Sequence, residues 1–283
     1  MPRTRSKRPS TPSKAQQPPW SVPGLYEPRH SQSLERGLAI LRCFTPERPV
    51  LGITDIADEL GMSRSTTHRY VTTLTGLGYL EQGASRKYRL GIRVTDLGMS
   101  ALNSTGLREH ARPYLEELRQ HTHYTVSLAV LDGPEVLYVD RLPRRQSGID
   151  LELHTGSRLP AHCTSLGKLL LAYLPEEEQH ELLAQMKLSK RTPNTITSKQ
   201  ALVDELAAIR EEGIAVNDEE LAAGLYAIAA PIRDETREVT AAVSLAAQSS
   251  MIPLAELVDA LSPHLIVTAD RVSARLGYRR DDE

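Results

Sequence analysis

Residues 53–74 read ITDIADELGMSRSTTHRYVTTL. Ile56, Ala57 and Leu60 set an apolar stripe on a short helix. Gly61 follows as a residue that accepts positive φ, and Ser63, after Met62, can cap a second helix. In that second helix Thr67, Tyr70, Val71, Leu74 and Leu77 recur at helical spacing and form the inward face. Arg64, Ser65, Thr66, His68, Arg69, Thr72 and Thr73 are left facing outward. Arg, Ser, Thr and His on one face supply donors for phosphates and base edges. The stretch predicts a helix-turn-helix with its recognition helix on the second segment. The alternative is an ordinary helical hairpin with a solvated polar face.

The flanks decide between the two. Upstream, residues 33–44 form a helix with Ser33 as its cap and Leu34, Leu38, Ile40, Leu41 and Phe44 inward, beside a packing thiol at Cys43. Downstream, residues 79–81 and 87–90 read as short strands joined by a turn over 82–86. Three helices and a hairpin make a winged helix over residues 31–92. Arg64, Ser65, Thr66 and His68 are then the base-reading candidates. Arg69 and the wing residues Arg86 and Lys87 are the phosphate candidates.

The charge distribution agrees. The 283 residues carry a net charge of −2, which alone does not suggest a polyanion partner. Residues 1–30 nevertheless hold six basic groups against Glu27, and residues 63–93 hold six against Glu81, so each segment stands at +5 and the remainder at −12. One module for duplex DNA and another for something else is the implied division. Only 4% of residues are aromatic, too few for a stacking platform for single strands or RNA. No run suits a membrane span or a secretory signal, and two cysteines cannot make a disulfide framework, so a cytoplasmic location is expected. Residues 1–30, rich in Pro, Ser and basic groups, read as a disordered basic tail.

Residues 93–106 read as a linker helix. Residues 107–280 form an α+β unit with a curved, mostly antiparallel sheet. A helix over 107–122 contains Pro113, which should kink it or mark its start. A period of two then sets Val126, Leu128 and Val130 against Thr125, Ser127 and Ala129, and Asp132-Gly133 turns the chain into the answering strand 136–139. Residues 156–160 read as loop. Thr164 caps a helix over 165–173, Pro175 takes the first helical position of the next, and Thr197 with Gln200 makes a capping box for 198–212. Strands follow at 214–216, 226–232 and 239–245, then a C-terminal helix from Pro253 that Pro263 should interrupt.

The blocks SLERGLAIL (33–41), ITDIADELGMSRSTTHRYVTTLTGLGYL (53–80), LPAHCTSLGKLLLAYLP (159–175), GIAVNDEELAAGLYAIAAPIRD (213–234) and AAVSL (241–245) together resemble the IclR family of bacterial transcriptional regulators. The likeness runs from about residue 31 to 276. The run RLPAHCTSLGK (158–168) is most similar to members that control aromatic-acid catabolism through protocatechuate and p-hydroxybenzoate. The resemblance implies a winged helix joined to an effector domain, and dimers or tetramers on palindromic operator DNA. It implies a small organic acid on the concave sheet, its carboxylate held by the backbone amides of Ser165 and Leu166. Asn217, Leu225, Ala227 and Ser244 carry over as further effector positions. Asn217 is often Asp in the family; the amide loses a charge and gains a donor, so effector identity is not transferable from relatives with Asp.

The residues support an anion there independently. Free N–H groups and the dipole at the start of the 165–173 helix favour negative charge, although Thr164 capping a core helix is the plainer explanation. His154, Arg158 and His162 flank the block, and Arg158 either pairs a carboxylate or is solvated in its loop. Three rivals remain open. Cys163, between His162 and a helix start, has the position of a thiol nucleophile, but no third orienting group is evident. His121-x-His123 with Cys163 or His162 suggests a metal, without the spacing of any known motif. A third reading gives the α+β unit to assembly alone. No catalysis and no cofactor is expected.

Overall fold

The computed structural model describes residues 31–103, 106–144 and 153–279. The basic tail expected over residues 1–30 lies outside the described residues. The chain divides into two compact units, residues 1–100 and 101–283.

The first unit holds α1 (Gln32–Arg42), α2 (Ile53–Leu60), α3 (Arg64–Gly76) and the hairpin β1 (Leu80–Gln82) and β2 (Tyr88–Leu90). Ile40, Phe44, Ile56, Leu60, Val71, Leu80 and Tyr88 form its core. Gly61 takes φ 61° and closes α2, so the turn into α3 needs no strained side chain. Ser63 caps α3 by accepting from the Thr66 amide at 3.2 Å. The threonines of α3, poor helix formers, turn their hydroxyls back on the chain: Thr67 donates to Ser63 O, Thr73 to Arg69 O and Thr75 to Val71 O. The loop before α2 joins the wing through Leu51, which exchanges two backbone hydrogen bonds with Tyr88.

Two expectations for α1 need correction. Ser31, not Ser33, is its cap. Leu34 and Leu38 are exposed, not inward. They share a stripe turned away from the one carrying Ile40 and Phe44, and the small core takes only the latter. Leu77, at the end of α3, is likewise exposed.

Helix α4 (Arg93–Asn103) spans the division between the units. The second unit is a curled antiparallel sheet of six strands in the order β5-β4-β3-β8-β7-β6. The strands are β3 (Thr125–Asp132), β4 (Glu135–Leu142), β5 (Arg158–Pro160), β6 (Ala215–Asp218), β7 (Leu225–Arg233) and β8 (Val239–Gln248). Helices α5 (Leu107–Thr122) and α9 (Leu254–Arg275) cover one face, packing on Val126, Leu128, Ile228, Val243 and Leu245. On the other face α6 (Ser165–Ala172), α7 (Glu176–Gln185) and α8 (Lys199–Glu212) pack with Ala129, Tyr138, Ala229 and Ala242.

Several boundaries differ from the sequence reading, each for a local reason. Residues 158–160, expected as loop, are β5, because β4 offers a free edge that so short a segment cannot announce by itself. Ser198, one residue later than Thr197, caps α8 through the Ala201 amide. Pro175 is the cap of α7 and not its first residue. Helix α5 begins at Leu107, so Pro113 does not mark its start, and Pro263 does not interrupt α9. Both lie on exposed faces, where water can serve the carbonyl that loses its partner.

Helix α6 decides the interior. All eight of its residues are buried. It follows a single 3₁₀ turn, Ala161–Cys163, and lies so close to it that a Cβ on Gly167 would sit 2.2 Å from Ala161 O and 2.3 Å from Ala161 Cα. Backbone atoms cannot yield as a side chain tip can. Gly167→Ala should therefore cost about 1–3 kcal/mol or more and lower the melting temperature by several degrees in calorimetry. Gly98→Ala, where a Cβ would meet nothing within 4 Å, is the control that should not destabilise.

Candidate functional site

The first unit presents one polar helix face and one hairpin tip. Arg64, Ser65, His68, Arg69 and Thr72 on α3 are exposed. Thr66 is half-buried and its hydroxyl accepts from Ser63 Oγ at 2.8 Å, so it shares in the cap as well as in the outward face. At the wing the fold itself uses two of the basic groups. Arg89 pairs with Glu81 at 2.9 Å, and Arg93 donates to Leu77 O at 3.0 Å. Arg86 and Lys87 stand exposed at the tip, where Arg86 takes φ 58°.

The second unit encloses a cavity between α6 and the concave sheet. Ser165, Leu166, Asn217, Leu225, Ala227 and Ser244 all line it. Strand register explains how residues so far apart in sequence meet. Asn217 pairs with Ala227, Ala227 with Ala246, and Ala246 with Thr125. In the adjacent row Ala229 pairs with Ser244, Ser244 with Ser127, and Ser127 with Arg141. Small side chains at most of these positions leave room beneath α6.

The start of α6 forms one wall. Thr164 Oγ1 accepts from the Gly167 amide at 3.1 Å, and the Lys168 amide reaches Thr164 O. The amides of Ser165 and Leu166 have no acceptor among the described residues. Asn217 donates through Nδ2 to Cys163 O at 2.6 Å. Tyr138 adds a buried ring whose hydroxyl is pushed up to about 12 by burial, with Arg141 close enough to oppose that shift. Behind the cavity Lys168 Nζ bonds Glu205 and Glu220, each at 2.6 Å.

Sequence reasoning missed Tyr124, Thr125, Ser127, Tyr138, Arg141, Arg144, Gln248 and Met251, which also line the cavity. The signal for Thr125 and Ser127 was present, as polar residues alternating with Val126 and Leu128. Which face of the sheet α6 would cover was not.

The flanking residues resolve otherwise. Arg158 pairs with Asp132. His162 is buried, its ring bonded to Ser189 O at 3.2 Å, and burial lowers its pKa. Cys163 is fully buried, and burial pushes its thiol up to about 11, the opposite of what a nucleophile requires. Cys43 is likewise held at about 11, chiefly by burial. The rings of His121 and His264 meet at a tilt of 54° with centroids 4.6 Å apart, and among the described residues no group of three or more His, Cys, Asp or Glu is placed to hold a metal ion. No helix among the described residues is long and apolar enough to cross a membrane.

Comparison with known proteins gives matches along almost the whole described chain. Residues 33–84 match the family model of the IclR helix-turn-helix domain, and residues 99–274 that of the bacterial transcriptional regulator IclR C-terminal domain. The HTH-type transcriptional regulator XynR of Escherichia coli K12 is 37% identical over 248 residues, covering 87% of this chain and 98% of that protein. The p-hydroxybenzoate hydroxylase transcriptional activator of Acinetobacter baylyi is 36% identical, covering 84% and 89%. A crystal structure of an IclR homolog complexed with 4-hydroxybenzoate, from Microbacterium hydrocarbonoxydans, superposes with a TM-score of 0.76 at 31% identity, covering 86% and 98%.

Two outcomes follow from this geometry. On duplex DNA, Arg86→Ala and Lys87→Ala should each reduce the slope of log affinity against log salt by about 1, alike for all sequences. Arg89→Ala should change it less, since Glu81 already neutralises that charge; anisotropy titrations at several salt concentrations read the difference. Both thiols should resist a small alkylating reagent at pH 8 in the folded chain and react once it is unfolded, as read by mass spectrometry.

Proposed function

Because this chain belongs to the IclR family of bacterial transcriptional regulators, DNA-binding proteins with an effector-binding domain, we propose that it controls a catabolic operon in response to a small organic acid of the aromatic class. The observation that carries the acid is the cavity wall at α6, where two backbone amides without acceptors meet the positive end of the helix dipole. A carboxylate there gains two charge-assisted hydrogen bonds and about 0.3–1 kcal/mol from the dipole. The rings of Tyr124 and Tyr138 on the cavity suit an aromatic body. The p-hydroxybenzoate hydroxylase transcriptional activator among the relatives and the homolog complexed with 4-hydroxybenzoate support the same class.

In this reading residues 31–92 are the DNA-binding module, 93–106 the linker and 107–280 the effector and assembly domain. A homodimer or homotetramer in the cytoplasm sets two recognition helices in successive major grooves, about 34 Å apart. Arg64, Ser65, Thr66 and His68 read base edges. Arg69, Arg86 and Lys87 hold phosphates. Effector and operator bias one another by about 1–3 kcal/mol, communicated through the linker. No catalytic step is assigned: the relatives are transcriptional regulators.

A thermal-shift panel of protocatechuate, p-hydroxybenzoate, phthalate, phenylacetate, pyruvate and glyoxylate tests the reading. An acid at about 100 times its dissociation constant should add about 2.7 kcal/mol, a rise of several degrees. A flat response to every acid would leave DNA binding intact and remove the carboxylate site.

A further inference from the structure

Strand β4 carries two cavity residues, Tyr138 and Arg141, an odd number of positions apart. Regular alternation would send them to opposite faces of the sheet. A bulge reconciles them: the pairing with β3 passes from Leu128–Asp140 to Ala129–Tyr138 and skips Val139. Val139 and Asp140 therefore both turn to the layer of α5, where Val139 joins the apolar core and Asp140 is buried. Arg112 Nη1 donates to the two Asp140 oxygens at 2.9 and 2.8 Å, and Arg108 Nε stands 3.7 Å from one of them. The acid next to Arg141 in sequence is thus on the other face of the sheet and already answered.

Arg141 is left as a half-buried guanidinium on the cavity, with no hydrogen bond or ion pair to it among the described residues. Arg144 lines the same cavity, and its Nη1 meets the thioether of Met251, an acceptor without charge. Among the described residues no Asp or Glu lines the cavity. A ligand that displaces the water there would enclose two guanidinium groups with no protein counter-charge, which is costly unless the ligand supplies it. The start of α6 adds positive potential, so a single carboxylate leaves charge unanswered. The positive features also stand apart. Arg141 is on β4, whereas Asn217, which holds the segment before α6, is on β6, and β3, β8 and β7 lie between them. Ser127, directly across from Arg141, and Ser244 beyond it offer hydroxyls to an anion on this side, and burial keeps the Tyr138 hydroxyl protonated and able to donate.

We propose that Arg141 forms a second anion subsite in the cavity and that the effector is a dicarboxylic acid, one carboxylate at the start of α6 and the other on the Arg141 guanidinium. The inference rests on the carboxylate reading above and extends it to a residue outside the positions that the resemblance carries over.

Calorimetric titration of the full chain with matched acids tests this: benzoate against phthalate, isophthalate and terephthalate, and hexanoate against adipate. In at least one set a diacid should bind about tenfold tighter than its monoacid, as a guanidinium–carboxylate pair in a partly dried site provides. In Arg141→Gln that advantage should shrink to about twofold or less. Arg158→Gln, whose arginine is paired with Asp132, should keep it. The comparison on the unaltered chain stands even if the Arg141 variant fails to fold. Monoacids that bind as tightly as every diacid overturn the inference and leave the first carboxylate site standing. A diacid advantage that survives in Arg141→Gln overturns the assignment to Arg141. Absence of binding by every acid overturns this inference and the carboxylate reading together.

Discussion

Helix α6 is buried along its whole length, and that burial dictates what surrounds the cavity. The first amides of any helix lack intrahelical partners. On a surface helix water supplies them. Here Thr164 supplies only the Gly167 amide, and the amides of Ser165 and Leu166, residues that line the cavity, have no acceptor among the described residues. The close approach that buries the helix depends on Gly167, beside the backbone of Ala161. Site and packing are thus one arrangement. The contact that brings α6 down onto the sheet also aims its positive end at the space the small sheet residues leave.

The same burial traps a charge. Lys168 is 1% exposed and would be costly there without its two carboxylates. Glu205 comes from α8, and Glu220 from the segment between β6 and β7, so the ammonium ties three parts of the unit together. Burial raises the pKa of Glu220, with the charge of Lys168 opposing it. The Glu220 carbonyl also accepts from the hydroxyl of Thr195 at 2.7 Å. These bonds hold the chain immediately before Leu221, at the rim of the cavity. Such a cluster contributes less to net stability than to a fixed arrangement, because desolvation offsets much of its Coulomb energy.

What was legible in the sequence had a local cause. Gly61, the Ser63 cap and the stripe through Thr67 and Val71 are set by a few consecutive residues, and the structure places them as read. The same holds for Thr164 as the cap of α6 and Gly213 as the stop of α8. The failures had distant causes. Strand β5 exists because β4 has a free edge, and Leu34 and Leu38 stay exposed because the small core of their unit takes only the stripe that carries Ile40 and Phe44. Pro263 shows the same limit: local chemistry marks a break, but exposure of that face lets the helix continue. At the site, resemblance brought six residues to one cavity, while Tyr138 and Arg141 had no signal of their own.

The sequence by itself determined the periodicities, the caps and the turns, since helix and strand patterns depend on neighbours within a few residues. It also determined the separation of charge between a basic first third and an acidic remainder. Tertiary structure alone decided which basic groups are free: Arg89 and Arg93 are taken up by Glu81 and Leu77, and no spacing rule distinguishes them from Arg86 and Lys87. It alone decided the direction of the Asn217 amide, which depends on a carbonyl 54 residues away. Hydrogen-bond partners across such separations follow from strand register and helix docking, and those are settled by the packing of the whole unit.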